Sequence, residues 1–350
     1  MDSLLKNNIH FVADLSNVSK AIVETGYSQV YVLMDEHTNE HCLQLLQEAL
    51  VDYEVYFFFL EVPSGEASKD LSTCASLWES LSEDNADRKT LLLNLGGGMI
   101  TDLGAFVASL YKRGISFYNI PTSLLAMVDA SIGGKCGIDF GGFKNQIGVF
   151  QQAKKTFVYP KFLNTLPELE FWSGMAEMYK HALICDAAHW SALKVFDRKE
   201  VTPALIEHSA ALKAEIVAKD PMENGERKKL NFGHTIGHAV ESYFLQKEKP
   251  MPHGYAVAFG MICEAHISTQ HNLLNLVEYD EIEDLLKTKY EFPTIPKKDF
   301  SILLEFMQQD KKNEDGVINF TLLQAIGSAV IDQSATESKI IASLNYLLNE

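Results

Sequence analysis

The 350-residue chain contains no run approaching roughly eighteen uninterrupted apolar residues, which excludes a membrane-spanning helix. Basic residues are scarce. Thirty Lys and Arg stand against 47 Asp and Glu, a formal net charge of −17, which argues against a nucleic-acid partner. Cysteine is scarce too: Cys42, Cys74, Cys136, Cys185 and Cys263 are scattered, odd in number and without a CxxC pair. They predict free thiols in a reducing cytoplasm. The opening residues Met1 to Asn8 lack the basic region and apolar core of a signal peptide. Internal repeats and low-complexity tracts are absent. What is present is 47% hydrophobic and 22% charged residues, the balance of a soluble globular protein long enough for two domains. An acidic protein can still hold an anion, because screening over roughly 8 Å lets a local basic cluster outweigh distant acids.

Two strand-like runs, residues 29–34 and 53–60, flank a helical pattern over about 38–50. A third apolar run, Leu91-Leu92-Leu93-Asn94-Leu95, follows a helix predicted over about 66–82. Strands alternating with helices predict a parallel sheet covered by helices. Asp35 stands at the end of the first run, where such sheets hold ligands. Gly96-Gly97-Gly98 follows the third run, with a helix predicted from near Asp102. Glycines at a strand-to-helix junction let backbone N–H groups approach a phosphate. The lysine of a P-loop is missing, and the turn alone is as compatible with a plain connection. Glu66 and Lys69 read locally as a helix N-terminus with a favourable acid. Beyond them, Pro121-Thr122-Ser123, Asp129 to Lys135 and Gly142 to Gly148 set polar side chains among glycines, an arrangement suited to holding ligands.

Strand signals nearly vanish beyond residue 162. Helical patterns cover 168–185, 202–218, 230–245, 254–271, 278–289 and 300–308, and residues 317–323 form the only later strand candidate. Glu177 and Lys180 share a helix face, as do His234 and His238. With His253, these supply one carboxylate and up to three imidazoles, the inventory of a divalent metal site with an open position. Spacing alone favours His234 and His238 as the ligand pair. His10, His37, His41, His181, His189, His208, His266 and His271 lack such context and read as surface or satisfied core residues.

These motifs carry a resemblance. Gly96-Gly97-Gly98 with Asp102, Arg113-Gly114, Pro121 to Asp129, Gly133-Gly134-Lys135 and Lys144-Asn145-x-Ile147-Gly148 resemble 3-dehydroquinate synthases. The order continues through Glu177-x-x-Lys180, Arg227, Asn231, Gly233-His234, His238, His253-Gly254 and Asp310-Lys311-Lys312. Three positions depart from the family pattern: Tyr255 where Glu is usual, His37 where Asn is common and Cys136 where Thr is common.

The resemblance implies an α/β plus all-α protein. A Rossmann-like NAD-binding domain would span residues 1–162 and a mainly helical metal- and substrate-binding domain 163–350, with the active site in the cleft between. It implies Glu177, His234 and His253 as ligands of Zn²⁺, with Co²⁺ a substitute, and His238 as a substrate contact. For NAD it implies Asp35, Gly65, Glu66, Lys69, Gly97, Gly98, Asp102, Thr122, Ser123, Asp129, Lys135, Lys144 and Thr165. The catalytic and substrate set is Lys135, Asn145, Lys180, Lys213, Arg227, Asn231, His238, Lys311 and Lys312, with Arg113 a further member. Guanidinium suits a planar carboxylate and ammonium a phosphate. Arg227 therefore goes to the substrate carboxylate, and Lys135, Asn145, His238 and a lysine of 311–312 to its phosphate.

The implied substrate is 3-deoxy-D-arabino-heptulosonate 7-phosphate and the product 3-dehydroquinate. The implied route is transient oxidation by NAD⁺, phosphate elimination, re-reduction, ring opening and intramolecular aldol closure. A homodimer is implied as well. A metal-dependent NAD polyol dehydrogenase shares the fold type but leaves Lys135, Lys144, Asn145, Lys180, Arg227 and Asn231 without work. Sugar-phosphate cyclases acting on other sugars are closer rivals, and a non-catalytic descendant is a third reading.

Overall fold

The computed structural model describes residues 8–50, 57–141, 143–194, 197–309 and 318–348. The chain divides into two compact units, Met1–Pro167 and Glu168–Glu350.

The first unit is an α/β layer structure. Its elements are β1 (Ile9–Phe11), α1 (Ser16–Thr25), β2 (Val30–Asp35), α2 (Glu36–His41), α3 (Leu43–Leu50), β3 (Phe57–Val62), α4 (Leu71–Glu83), β4 (Leu91–Gly96), α5 (Gly98–Leu110), β5 (Ser116–Pro121), β6 (Lys135–Phe140), β7 (Phe143–Phe150) and β8 (Lys155–Val158). Six strands form one parallel sheet in the order β1-β8-β5-β4-β2-β3. Val30 to Leu33 and Leu91 to Leu93 are wholly buried, as expected of central strands covered on both faces. Register sets Asn94 opposite Asn119, and Asn94 Nδ2 donates to Asn119 Oδ1 at 2.9 Å inside the sheet. A Cβ at Gly104 would fall 1.9 Å from Asn94 Oδ1, so α5 lies against β4 at a separation only glycine permits.

The second unit is mainly helical: α6 (Glu168–Cys185), α7 (Ala187–Ala192), α8 (Pro203–Lys219), α9 (His234–Gln246), α10 (His253–Gln270), α11 (Leu276–Lys289), α12 (Phe300–Gln308), β9 (Asn319–Ala325), β10 (Ser328–Ser334) and α13 (Glu337–Leu348). Helix α10 is its centre, with most of its residues buried all round, as in a helix enclosed by others. Among the described residues no helix is long and apolar enough to cross a membrane.

The expected fold class holds, with several corrections to individual elements. The helix expected over 38–50 breaks at Cys42, whose N–H closes onto Thr38 while α3 starts afresh. The helix expected over 66–82 is a 3₁₀ turn, Glu66–Ser68, followed by α4, which Asp70 caps through Thr73 N. The helix expected near Asp102 starts a turn earlier, at Gly98. The glycine-rich stretch after Gly134 is an antiparallel hairpin, β6–β7, outside the main sheet. The strand expected over 317–323 is β9, with an antiparallel partner in β10, and Val317 lies outside the described residues.

Candidate functional site

In the second unit, Glu177 and Lys180 project from one face of α6, both buried. A buried carboxylate is costly without a cation, and Lys180 Nζ pairs with Glu177 Oε2. The other oxygen, Oε1, lies 3.5 Å from His234 Nε2 and 3.4 Å from His253 Nε2. His234 reaches this position because Gly233 precedes it at φ +79, where a Cβ would be 2.5 Å from Met261 Cγ and 2.9 Å from the Val257 carbonyl. His253 opens α10, whose Gly254 presses on the Ser173 carbonyl of α6, where a Cβ would stand at 2.0 Å.

Each imidazole is held by its other nitrogen. His234 Nδ1 is 3.0 Å from the Phe232 carbonyl, and His253 Nδ1 is 3.3 Å from Glu241 Oε2. With Nδ1 so engaged, Nε2 of both rings is directed at Glu177. One oxygen and two nitrogens within 4.8 Å of one another form a donor set that suits Zn²⁺ or a similar divalent ion. His238, Glu241 and His253 satisfy the same distance. Burial drives His234 well below the usual imidazole range, and Lys180 adds to the effect. Burial pulls His253 the same way, but Glu241 and Glu177 outweigh it and raise it to about 10.

In the same unit, Arg227 and Lys213 are buried. The loop before Arg227 is organised by Asp220, whose carboxylate accepts from the backbone N–H of Asn224 (3.0 Å), Gly225 (2.7 Å) and Arg227 (3.1 Å). Arg227 Nη1 donates to the Pro221 carbonyl at 2.7 Å, and Asn231 Nδ2 to Glu223 Oε1 at 3.2 Å. Glu223 takes a φ of +63, a conformation that non-glycine residues hold only where the surroundings impose it.

In the first unit, Gly97 is the N-cap of α5 and makes no side-chain cap, so the positive end of a thirteen-residue helix faces the turn after β4. A Cβ on Gly97 would meet Ser123 Oγ at 3.3 Å, and one on Gly98 would meet Ala130 Cβ at 3.3 Å. That is a cradle suited to a pyrophosphate. Alongside it, Lys69 is 3% exposed and donates from Nζ to Asp102 Oδ2 (2.7 Å) and Asn145 Oδ1 (2.6 Å). Glu66 Oε1 stands 3.7 Å from Lys69 Nζ and 3.8 Å from Lys144 Nζ. Burial lowers the Lys69 pKa, but Asp102 and Glu66 outweigh it and keep the ammonium charged. Asp102 and Lys135 line one small polar cavity with Asn119 and Ser131.

Sequence models of this kind of chain exist. The one described as 3-dehydroquinate synthase N-terminal matches residues 59–173, and the one described as 3-dehydroquinate synthase C-terminal matches residues 174–313. A 3-dehydroquinate synthase of Parabacteroides distasonis is 40% identical over 324 residues, covering 91% of each chain. One of Campylobacter concisus is 41% identical over 289 residues, covering 82% of this chain and 83% of its own. The chain belongs to the 3-dehydroquinate synthase family. Among solved structures, 2-epi-5-epi-valiolone synthase from Streptomyces hygroscopicus subsp. jinggangensis, with NAD⁺ and Zn²⁺ bound, matches with a TM-score of 0.86. It covers 98% of this chain and 96% of its own, and at 24% identity it speaks for the fold.

Within this member of the 3-dehydroquinate synthase family, the structure draws together Glu177, Lys180, His234, His238 and His253 in one unit. It draws together Glu66, Lys69, Asp102, Lys144 and Asn145 in the other. Gly65 leads into the first turn of that second group, and Thr122 is buried at the end of β5. Asp129 lies in the single turn Ala126–Ala130. Asp35 caps its own helix through Thr38 N, and Thr165 Oγ1 donates to the Phe162 carbonyl. Arg113 follows Lys112 in a left-handed pair, φ +68 after +49. Lys311 and Lys312 lie outside the described residues.

Sequence reasoning missed Glu241 and Glu264. Glu264 is buried, and its carboxylate accepts from Gly233 N (2.7 Å) and Ile236 N (3.1 Å), so α10 caps α9. Both were detectable: Glu241 falls three after His238 on the same face, and Glu264 is the lone acid of an apolar helix.

Proposed function

We propose that this chain is an NAD- and metal-dependent lyase that converts 3-deoxy-D-arabino-heptulosonate 7-phosphate to 3-dehydroquinate and phosphate. That is the reaction of a 3-dehydroquinate synthase, in the shikimate route to aromatic amino acids. In a chain of this family, the convergence of Glu177, His234 and His253 on one point carries the reading. Residues 1–162 serve NAD and residues 163–350 serve metal and substrate.

Glu177, His234 and His253 would hold the cation, Zn²⁺ or Co²⁺ in its place. When bound, the metal supplies a Lewis acid to a ring hydroxyl and the nicotinamide supplies a reversible hydride acceptor. The chain's own residues do the rest. Lys180 pairs with the second Glu177 oxygen and balances its charge. Arg227, held by the Asp220 loop, presents its fork to the substrate carboxylate, with Lys213 and Asn231 beside it. His238, Lys135, Asn145 and a lysine of 311–312 take the phosphate, and Arg113 is a further member of that set. Helix α5 and the glycine turn take the pyrophosphate of NAD, with Lys69, Asp102, Lys144, Thr122 and Ser123 around it. The enzyme acts as a homodimer in the cytoplasm, where five unpaired thiols persist.

The deciding assay supplies the heptulosonate phosphate with NAD⁺ far below its concentration. One phosphate should be released per substrate, without growth of NADH absorbance, and EDTA should stop the release. NADH growing in step with product would assign a dehydrogenase instead, and no turnover of this substrate would refute the synthase reading and leave a cyclase for another sugar or a non-catalytic descendant.

A further inference from the structure

Glu241 belongs to none of the motifs read in the sequence, and the mechanism above leaves it unused. It is 7% exposed on α9, seven residues after His234 and three after His238, so it shares their face. The His253 ring lies between two carboxylates: Nε2 is 3.4 Å from Glu177 Oε1, and Nδ1 is 3.3 Å from Glu241 Oε2. The other ligand imidazole is supported differently. His234 Nδ1 meets the backbone carbonyl of Phe232, a neutral partner that no side-chain change removes. Two residues beyond His253 stands Tyr255, which offers the His253 ring no carboxylate and packs edge-on against Tyr290 at 5.0 Å.

We infer that Glu241 is a positioning residue for the metal. It holds the His253 ring with Nδ1–H directed at its carboxylate, leaves Nε2 as the ligating nitrogen, and makes that nitrogen a stronger donor through its own charge. A carboxylate behind a ligating imidazole fixes both ring orientation and tautomer, and in this chain the neighbouring helix provides it. The inference rests on the assignment of Glu177, His234 and His253 as metal ligands. His238, Glu241 and His253 are also close enough to hold a cation of their own, and the test separates the two roles.

Full-length parent, Glu241→Gln and Glu241→Ala are stripped of metal and titrated with Zn²⁺ against a chromophoric chelator, and thermal unfolding of each metal-free protein is recorded. The expected result is one Zn²⁺ per chain in all three. Glu241→Ala should bind it about 10–100-fold more weakly. Glu241→Gln should fall between, because its amide oxygen still accepts from Nδ1–H but carries no charge. A merely structural role would lower the metal-free unfolding midpoint and leave Zn²⁺ affinity at the parent value, which overturns the inference. Two Zn²⁺ per parent chain, falling to one in Glu241→Gln, also overturns it and makes Glu241 a ligand. A parent that binds no Zn²⁺ sinks the metal assignment and this inference together, whereas parent-like variants of a Zn²⁺-binding parent sink this inference alone. Should Glu241→Ala fail to fold, Glu241→Gln carries the test, and parent affinity there is the overturning result.

Discussion

Replacing Gly260 with Ala tests whether the separation of α9 and α10 sets the geometry of the imidazole pair. A Cβ at Gly260 would stand 2.0 Å from the Gly233 carbonyl oxygen, 2.7 Å from Gly237 N and 2.9 Å from Gly233 C. Ordinary contact begins at 3.4 Å, so the helices must part by about 3.4 − 2.0 = 1.4 Å. All three atoms are backbone, and no side chain can rotate away to absorb the change. Alanine brings roughly 0.8–1 kcal/mol of better helix propensity. Overpacking costs about 1–3 kcal/mol, and a backbone-on-backbone clash belongs at the top of that range. The net loss is about 2 kcal/mol, a fall in Tm of roughly 4–8 °C for a unit of this size. Because His234 follows Gly233 directly, the same shift carries its ring away from His253. A displacement near 1 Å costs about a hundredfold in rate. Thermal unfolding and phosphate release from the heptulosonate phosphate measure both effects. A Gly260→Ala protein with an unchanged or higher Tm and parent turnover would show that propensity wins and that the separation is not set there.

Arg227→Ala should weaken binding of a stable substrate analogue by about 1.5–3 kcal/mol, the usual worth of a charged hydrogen bond. Arg227→Lys should recover only part of it, and calorimetric titration with parent affinity for either variant would remove Arg227 from the carboxylate site. Lys69→Met leaves Asp102 without its buried cation, so it should cost about 3 kcal/mol in denaturant unfolding and weaken NAD⁺ binding; an unchanged midpoint would refute the pairing. His189 offers a pH test. Burial, followed by His208, holds it down from 6.5 to about 4, with Ser209 Oγ at 2.8 Å from its Nε2. The unfolded chain therefore binds the extra proton between those values. The stabilisation is complete above about 6.5 and is lost as pH falls towards 4. Its ceiling is ~3 kcal/mol, or ~1–2 kcal/mol after solvent screening. His189→Asn should flatten the stability profile across that window, and a parent-like slope would exclude His189 as its source.

The central strands were legible in the sequence because burial on both faces writes itself as unbroken apolar runs, as in Leu91 to Leu93. The β6–β7 hairpin was not, because its glycines and polar residues suppress the strand signal; a Cβ at Gly137 would lie 2.6 Å from the Ile147 carbonyl. The break at Cys42 carries no Gly or Pro and leaves no local mark. At the imidazole cluster, a spacing of four joins His234 to His238, whose ring centroids are 5.1 Å apart. Spacing within one helix says nothing of His253 or Glu177, which arrive from two other helices, Glu177 Oε1 lying 3.5 Å from His234 Nε2 and 3.4 Å from His253 Nε2. Tertiary approach of that kind is visible only through a whole-family pattern or a structure. Glu241 and Glu264 escaped the motif reading, since each serves a neighbouring helix rather than its own, and the structure brings them to light.

The paired amides of Asn94 and Asn119 bear on how the chain reaches its fold. Their bond exists only when β4 and β5 meet in the native register. A slip by one residue would set the two amides on opposite faces of the sheet and leave them unpaired in hydrocarbon, at about 1–3 kcal/mol apiece. The neighbouring leucines would tolerate such a slip, so the two asparagines act as a proofreading mark on strand assembly. Two residues further along each strand, Gly96 meets Pro121. The level at which the glycine turn faces Thr122 and Ser123 is thus settled while the sheet forms, before any nucleotide is there to select it.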